Sequence, residues 1–192
     1  MLSTISAHPS LDGALVVPMA AWIVTVFLIA GALIDGLALR VPNWLTFPMI
    51  FSGWAVGGMV FGWAGLWASI LGTLVGLALL IPLYAIGGMG AGDVKLLAGV
   101  GAWIGAQHTL WAFVASVLCG GLLALLLAVY RGQFRQFVMN MRLIAAEILF
   151  VRDVRLLAKL ASERKRQAIL LPYGIPIALG CISYLLYQGM LP

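Results

Sequence analysis

The sequence predicts an all-α integral membrane protein, a bundle of six transmembrane helices that forms one domain over residues 1–192. Of these residues 64% are hydrophobic and 9% are charged, whereas a soluble domain is nearer half apolar and a quarter charged. The apolar residues form continuous runs of about twenty and do not alternate as the strands of a membrane barrel do. The composition therefore argues against a water-soluble protein, and the run lengths argue for helices.

Five long apolar runs and one shorter run predict the spans. In chain order they are 14–34, 44–62, 66–86, 93–105, 109–130 and 168–188. A span needs about 20 residues, and the run 93–105 covers only about 17–20 Å at a rise of ~1.5 Å per residue. This helix either thins the bilayer or begins below the membrane surface, and we favour the second. Residues 1–13 contain no Lys or Arg, so we expect the first run to be a retained span and not a signal peptide.

The basic residues predict the orientation. With the N-terminus outside, the inner ends and loops contain Arg40, Lys95 and the other nine Lys and Arg, which lie between Arg131 and Arg166. This distribution follows the positive-inside rule. Aromatic residues fall near both predicted interfaces: Trp63, Trp67, Trp103 and Trp111 outside, and Trp44, Tyr84 and Tyr130 inside. The net charge of +5 matches this topology and an anionic lipid surface, and it gives no reason to expect nucleic acid.

The largest segment outside the predicted membrane spans residues 131–167. Its apolar residues recur at steps of three and four, with basic and polar residues between them. This pattern predicts a basic amphipathic helical segment on the inner leaflet. It is either a connector held by anionic lipid or a docking site for a substrate or partner.

Two aspartates, Asp35 and Asp93, are the candidate catalytic residues. Asp35 follows the first apolar run, and Asp93 follows the third run and the glycine-rich stretch 87–92. An ionisable side chain at membrane depth is a functional hypothesis by default. Two adjacent carboxyls share one proton, so that one activates a water and the other polarises a peptide carbonyl. Because the helix dipole favours an anion at a helix start and opposes it at a helix end, we expect Asp93 to be the base and Asp35 to be more often protonated.

Five neighbouring residues are candidates for substrate binding or for positioning the aspartates. Gly90 and Gly92 either let an extended substrate backbone approach closely or form a plain helix break. Arg40 and Lys95 either snorkel to the membrane surface or orient the aspartates or the substrate. Asn43 is placed to cap the second span.

Two further features were weighed for chemistry. Cys119 and Cys181 stand alone inside apolar runs, so we expect them to pack as small residues and predict neither a disulfide nor a metal site. No cofactor is expected. The stretch 171–176, with two prolines and a glycine, opens or interrupts the last helix. It either faces the bundle interior near the aspartates or forms a simple entry turn.

Three motifs together carry a family resemblance. The octapeptide Gly90–Leu97 (GAGDVKLL) resembles the GxGD signature of bacterial type IV prepilin peptidases. Asp35 with the stretch 40–43 resembles the upstream pattern of that family, which is an aspartate, four residues, a basic residue and then Pro-Asn. The stretch 172–174 resembles the Pro-Phe/Tyr-Gly element that opens its last helix. The resemblance implies that Asp35 and Asp93 are the catalytic pair.

The resemblance also implies an activity and a substrate. It implies an aspartic endopeptidase that removes the basic leader from a type IV or Flp pilin precursor. Cleavage is then expected on the cytoplasmic side of the bacterial inner membrane, just before the precursor's apolar helix. The distribution of basic residues predicts that both termini are periplasmic. The expected partners are that leader, that apolar helix and anionic lipid.

The chain resembles the short form of the family, that of Flp (tight-adherence) pilus systems. Larger members have a cysteine-rich zinc site in an N-terminal extension that is linked to N-methylation, and the chain contains no such cysteines. We therefore do not expect methyltransferase activity.

Two other functions were considered. One is a small transporter or channel coupled to protons or cations, whose polar groups should line a path through the membrane. The other is a non-catalytic scaffold for pilus assembly. Both predicted aspartates lie toward one side of the membrane and both are intact, which favours the peptidase.

Overall fold

The computed structural model describes residues 11–85, 89–132, 134–135, 138–139 and 173–191. Within these residues every regular element is a helix, which confirms the predicted all-α class. The helices are α1 (Leu11–Ala38), α2 (Asn43–Ala85), α3 (Ala91–Tyr130) and α4 (Gly174–Tyr187).

Three of these helices are long and apolar enough to cross a membrane, namely Pro18–Ala38 of α1, α2 and α3. Helix α4 is apolar but shorter. The chain is therefore a helical integral membrane protein. With 43 residues in α2 and 40 in α3, both helices are far longer than the about 20 residues that one span requires.

A glycine divides α2 into two arms. Gly62 has φ 64° and ψ −150°, which is not helical backbone. On either side of it the arms pack against each other: the Ser69 hydroxyl donates to the carbonyl of Gly53 at 3.4 Å, and the Trp54 indole N–H donates to the Thr73 hydroxyl at 2.9 Å. Because these pairs are arranged about Gly62, the chain reverses there and α2 is a helical hairpin.

Helix α3 reverses in the same way at Gly105, which has φ 77° and ψ 173°. Its first arm packs against the second arm of α2, where a Cβ on Gly76 would lie 2.7 Å from the carbonyl oxygen of Leu97. Its second arm packs against α4, where the Ser116 hydroxyl donates to the carbonyl of Ile177 at 3.2 Å. Small residues at such contacts allow helix backbones to approach closely.

The core is built around the first arm of α3. Leu96 and Leu97 on this arm are completely buried and pack in one cluster with Leu28 of α1, Met49 of α2 and Leu185 of α4. This packing places the N-terminal turns of α3, which contain Asp93, among all the other helices.

The predicted apolar runs can be placed on the helices. The runs 44–62 and 66–86 correspond to the two arms of α2, and 93–105 and 109–130 to the two arms of α3. Helix α1 continues past the predicted end at residue 34, so that Asp35 lies inside the helix. Most of the predicted amphipathic segment 131–167 lies outside the described residues, as do residues 168–172.

Trp103 lies two residues before the reversal at Gly105. It is partly buried, and its indole N–H donates to the carbonyl of Met49 at 2.9 Å. This side chain therefore joins α3 to α2 and faces the protein.

Candidate active site

Asp35 lies in the last turn of α1 and is 3% exposed. The helix ends four residues later at Leu39, which adopts φ 52° and donates its N–H to the carbonyl of Asp35 at 2.8 Å. A left-handed residue after the last turn is a common way to end a helix, although it is usually a glycine. The chain then turns toward Pro42 and the start of α2.

Asp93 lies in the first turn of α3 and is 4% exposed. Its Oδ2 accepts the backbone N–H of Gly90 at 3.1 Å. A carboxylate in the first turn satisfies a free N–H group and lies at the positive end of the helix dipole. The start of α3 therefore fixes one oxygen of this carboxyl against the backbone.

The start of α4 contacts Asp35. The backbone N–H of Gly174 donates to Oδ2 of Asp35 at 2.7 Å. Gly174 belongs to the stretch 171–176, which was expected to open or interrupt the last helix. Of the two alternatives for this stretch, the contact supports the one in which the break faces the bundle interior near an aspartate.

The loop between α1 and α2 lies directly on the first turn of α3. A Cβ on Gly92 would come to 2.5 Å from the carbonyl oxygen of Val41, and Val41 itself is buried. One turn of helix further on, the Lys95 amine donates to Oδ1 of Asn43 at 2.8 Å. These contacts join the elements that carry the two aspartates.

The other candidate site residues lie in different environments. Gly92 has a packing reason to be glycine, because Val41 fills the space where a substrate backbone was expected. Gly90 is exposed, and its N–H donates to Asp93. Lys95 and Asn43 form a pair, and Arg40 lies exposed in the loop before Pro42.

Comparison of the sequence with known proteins identifies the family of the chain. The sequence model described as the Type IV leader peptidase family matches residues 22–125. This range is more than half of the chain and includes both aspartates. The chain belongs to the Type IV leader peptidase family.

Curated relatives agree with this family. A protein named prepilin leader peptidase/N-methyltransferase from Neisseria gonorrhoeae is 33% identical over 122 residues, which is 60% of this chain and 42% of that protein. Proteins of the same name are 32% identical over 120 residues in Aeromonas hydrophila (59% of this chain, 41% of that protein) and 36% identical over 120 residues in Burkholderia pseudomallei strain 1026b (56% and 37%). The chain thus aligns with about two-fifths of the length of these relatives. No solved structure matches it significantly.

The family match ends before the turn that donates a hydrogen bond to Asp35. Residues 22–125 cover the end of α1, all of α2 and most of α3, whereas Tyr173 and Gly174 lie beyond them. In this member of the leader peptidase family, the hydrogen-bond donor to Asp35 comes from outside the matched region. Sequence reasoning singled out the stretch around it through its prolines and glycine, but it could not identify the acceptor.

Proposed function

We propose that the chain is a membrane aspartic endopeptidase that removes the basic leader from type IV or Flp pilin precursors. The observation that carries this proposal is the pair of buried carboxyls, 3% and 4% exposed, on α1 and α3, whose ends are joined by the contact between Val41 and Gly92. The relatives named prepilin leader peptidase support the same reaction. Burying a carboxylate in a membrane protein is costly in free energy, so a buried carboxylate indicates a functional site by default.

In the proposed mechanism Asp93 is the base. It takes a proton from a water molecule whose oxygen forms a bond to the scissile carbonyl carbon, while protonated Asp35 donates its proton to the carbonyl oxygen. The resulting gem-diol collapses: Asp93 gives its proton to the leaving nitrogen, the C–N bond breaks, and Asp35 regains a proton from a gem-diol hydroxyl. Both carboxyls return to their starting states.

The hydrogen bond from Gly174 is compatible with a protonated Asp35. A neutral carboxyl accepts an N–H through its carbonyl oxygen and keeps its O–H for a second partner. If Oδ2 is the carbonyl oxygen, the proton resides on Oδ1. The contact would then fix which oxygen of Asp35 faces the substrate.

We further propose that the four helical elements form six membrane spans, with the two arms of α2 and of α3 counted separately. Both termini are then periplasmic, and the aspartates face the cytoplasm from the inner membrane. The concentration of Lys and Arg on one side supports this orientation. The exposed tryptophans Trp63, Trp67 and Trp111 lie near the two glycine reversals. This supports placing the reversals at the opposite, periplasmic interface of the membrane.

The substrate would present two different surfaces to this enzyme. Its leader remains in the cytoplasm with its basic residues, and its apolar helix enters the bilayer beside the enzyme. Anionic lipid contacts the basic residues of the inner side. The Flp type of pilin is proposed from the resemblance of the chain to the short form of the family, and we propose no nucleic acid partner.

The end of the bundle opposite the aspartates does not support the alternative function of a transporter. A cavity of ≈ 330 Å³ lies near the two glycine reversals, and its lining is mainly apolar, with Ala20, Val56 and Phe61 among its residues. The hydroxyl of Ser69, which also lines it, donates to the carbonyl of Gly53. A path for protons or cations requires polar groups along its length.

The proposed function is tested by co-expression with an Flp-type pilin precursor. Asp35→Asn and Asp93→Asn should each abolish leader removal, while the proteins insert in the membrane at wild-type levels. Asp153→Asn is the matched control, because it removes a carboxylate from the basic segment and should leave cleavage intact. Persistent cleavage in either of the first two variants would refute the catalytic pair.

A further inference from the structure

Lys95 makes two contacts that both reach α2. Its amine donates to Oδ1 of Asn43 at 2.8 Å and lies 4.9 Å from the ring centroid of Phe47. The side chain is partly buried. An ammonium that has an amide oxygen and an aromatic face as neighbours is held by a charge-assisted hydrogen bond and a cation–π interaction.

The position of Lys95 on α3 explains its direction. It follows Asp93 by two residues, and side chains two residues apart on a helix do not face each other. Asp93 is buried, whereas the lysine stem extends to the first turn of α2. The lysine is thus placed to act on the geometry of the site from outside it.

The contact with Asn43 lies next to the contact between Gly92 and Val41. Asn43 is the first residue of α2 and follows the loop that starts where α1 ends, four residues after Asp35. These two contacts, which lie about one helical turn apart on α3, therefore hold that loop on the first turns of α3. A shift of the loop would move the end of α1 relative to α3, and with it Asp35 relative to Asp93.

We propose that Lys95 is a positioning residue, which through Asn43 and Phe47 fixes the α1–α2 loop on α3 and thereby sets the separation of the two aspartates. This inference rests on the proposed function. In this proposal the Lys95 side chain binds α2 of the enzyme itself and does not bind the substrate. A basic leader agrees with this assignment, because an ammonium directed at it would repel it.

The proposal predicts an effect on the chemical step. Lys95→Met keeps the apolar stem and removes the amine, so the loop loses its hydrogen bond and its cation–π contact. We expect kcat to fall by a factor on the order of 10 to 100, because small displacements of reacting groups reduce rates by such factors. KM for the pilin precursor should stay unchanged, since the substrate does not contact Lys95.

A double-mutant cycle with Asn43 tests the partner. Asn43→Leu should also lower kcat, and the double variant should be no worse than Lys95→Met alone, because Lys95→Met already removes the hydrogen bond that Asn43→Leu removes. Asn43→Asp should keep kcat close to wild type, since its carboxylate accepts the same hydrogen bond and is favourable in the first turn of α2. Arg131→Met, which removes an exposed cation at the end of α3, should leave kcat unchanged.

The experiment measures kcat and KM for purified variants in micelles, with Asp35→Asn and Asp93→Asn assayed beside them. If either aspartate variant cleaves, the proposed function fails. If both are inactive but Lys95→Met raises KM at wild-type kcat, Lys95 binds substrate and the positioning role is refuted. The role is also refuted if Asn43→Asp is as impaired as Asn43→Leu, or if the two single losses multiply in the double variant.

Discussion

The backbone N–H of Gly174 donates to Oδ2 of Asp35 at 2.7 Å, although 139 residues separate the two in the chain. The donor is fixed by the packing of α4, because Ser116 on α3 donates to the carbonyl of Ile177 just after it. The geometry of the Asp35 carboxyl therefore depends on three helices: α1 carries it, α4 supplies the donor, and α3 holds α4 in place.

Gly174→Ala should disable the site. The added Cβ would lie 2.9 Å from both Cβ and Oδ2 of Asp35, so the carboxyl has to rotate away and α4 has to shift relative to α1. We expect the rate of leader removal to fall by a factor on the order of 100, the cost of a displacement of about 1 Å at a reacting group. The measurement is the initial rate of precursor cleavage by the purified protein in micelles.

The matched control for this change is Gly121→Ala on α3, where an added Cβ would meet no atom within 4 Å. It should cleave at the wild-type rate and have a wild-type melting temperature. Wild-type cleavage by Gly174→Ala would show that the position of the Asp35 carboxyl seen here is not required for the reaction.

The two glycines before Asp93 should respond differently to alanine. At Gly92 the added Cβ would lie 2.5 Å from the carbonyl oxygen and 2.9 Å from the nitrogen of Val41, whereas at Gly90 it would lie 3.2 Å from Oδ2 of Asp93. Backbone yields less readily than a carboxylate, so Gly92→Ala should lose more cleavage and more thermal stability than Gly90→Ala. Equal losses in melting temperature would contradict the packing reason given for Gly92.

Much of this architecture could be predicted from the sequence, because long apolar runs report helices directly. Asp35 and Asp93 stood out by their place at the ends of such runs, and the reversals at Gly62 and Gly105 fell at or next to the gaps between predicted spans. The apolar pattern could not show which helices are neighbours. The hydrogen bond from Gly174 and the inward direction of Trp103 depend on those neighbours, and both escaped prediction.

Lys95 shows the same limit at the site. A cation near the inner end of a span has two ordinary readings in sequence, a surface anchor or a functional group. The choice depends on what lies within reach of its amine, and Asn43 is 52 residues away in the chain. Only the packing of α2 on α3 brings this amide to the lysine.

Leu39 is expected to be a position where glycine stabilises the protein. It has φ 52° without being glycine, and its side chain is 49% exposed. Left-handed backbone costs an ordinary residue about 1–2 kcal/mol, and glycine avoids this cost. Glycine loses more conformational entropy on folding, however, which cancels part of the gain in stability. Leu39→Gly should therefore raise the free energy of unfolding by up to about 1 kcal/mol.

The check on Leu39 is a comparison of melting temperatures in micelles, with Leu39→Val as the opposite change. A β-branched residue tolerates positive φ less well than leucine does, so the valine variant should melt below wild type and the glycine variant above it. A glycine variant that melts below wild type would mean that contacts of the leucine side chain outweigh the strain.

Gly180→Ala should separate α4 from α3. An added Cβ would overlap the backbone of Ser116 and lie 2.6 Å from the carbonyl carbon of Ala115, so neither helix can accommodate it by a side-chain rotation. Overpacking of this kind costs about 1–3 kcal/mol, and we expect a lower melting temperature. Cleavage should fall as well, because α4 carries the Gly174 donor. Gly58→Ala, whose Cβ would make ordinary contact with Leu66 at 3.7 Å, should leave both unchanged. If Gly180→Ala kept full cleavage despite a lower melting temperature, α4 would not need its present place on α3 to hold Asp35.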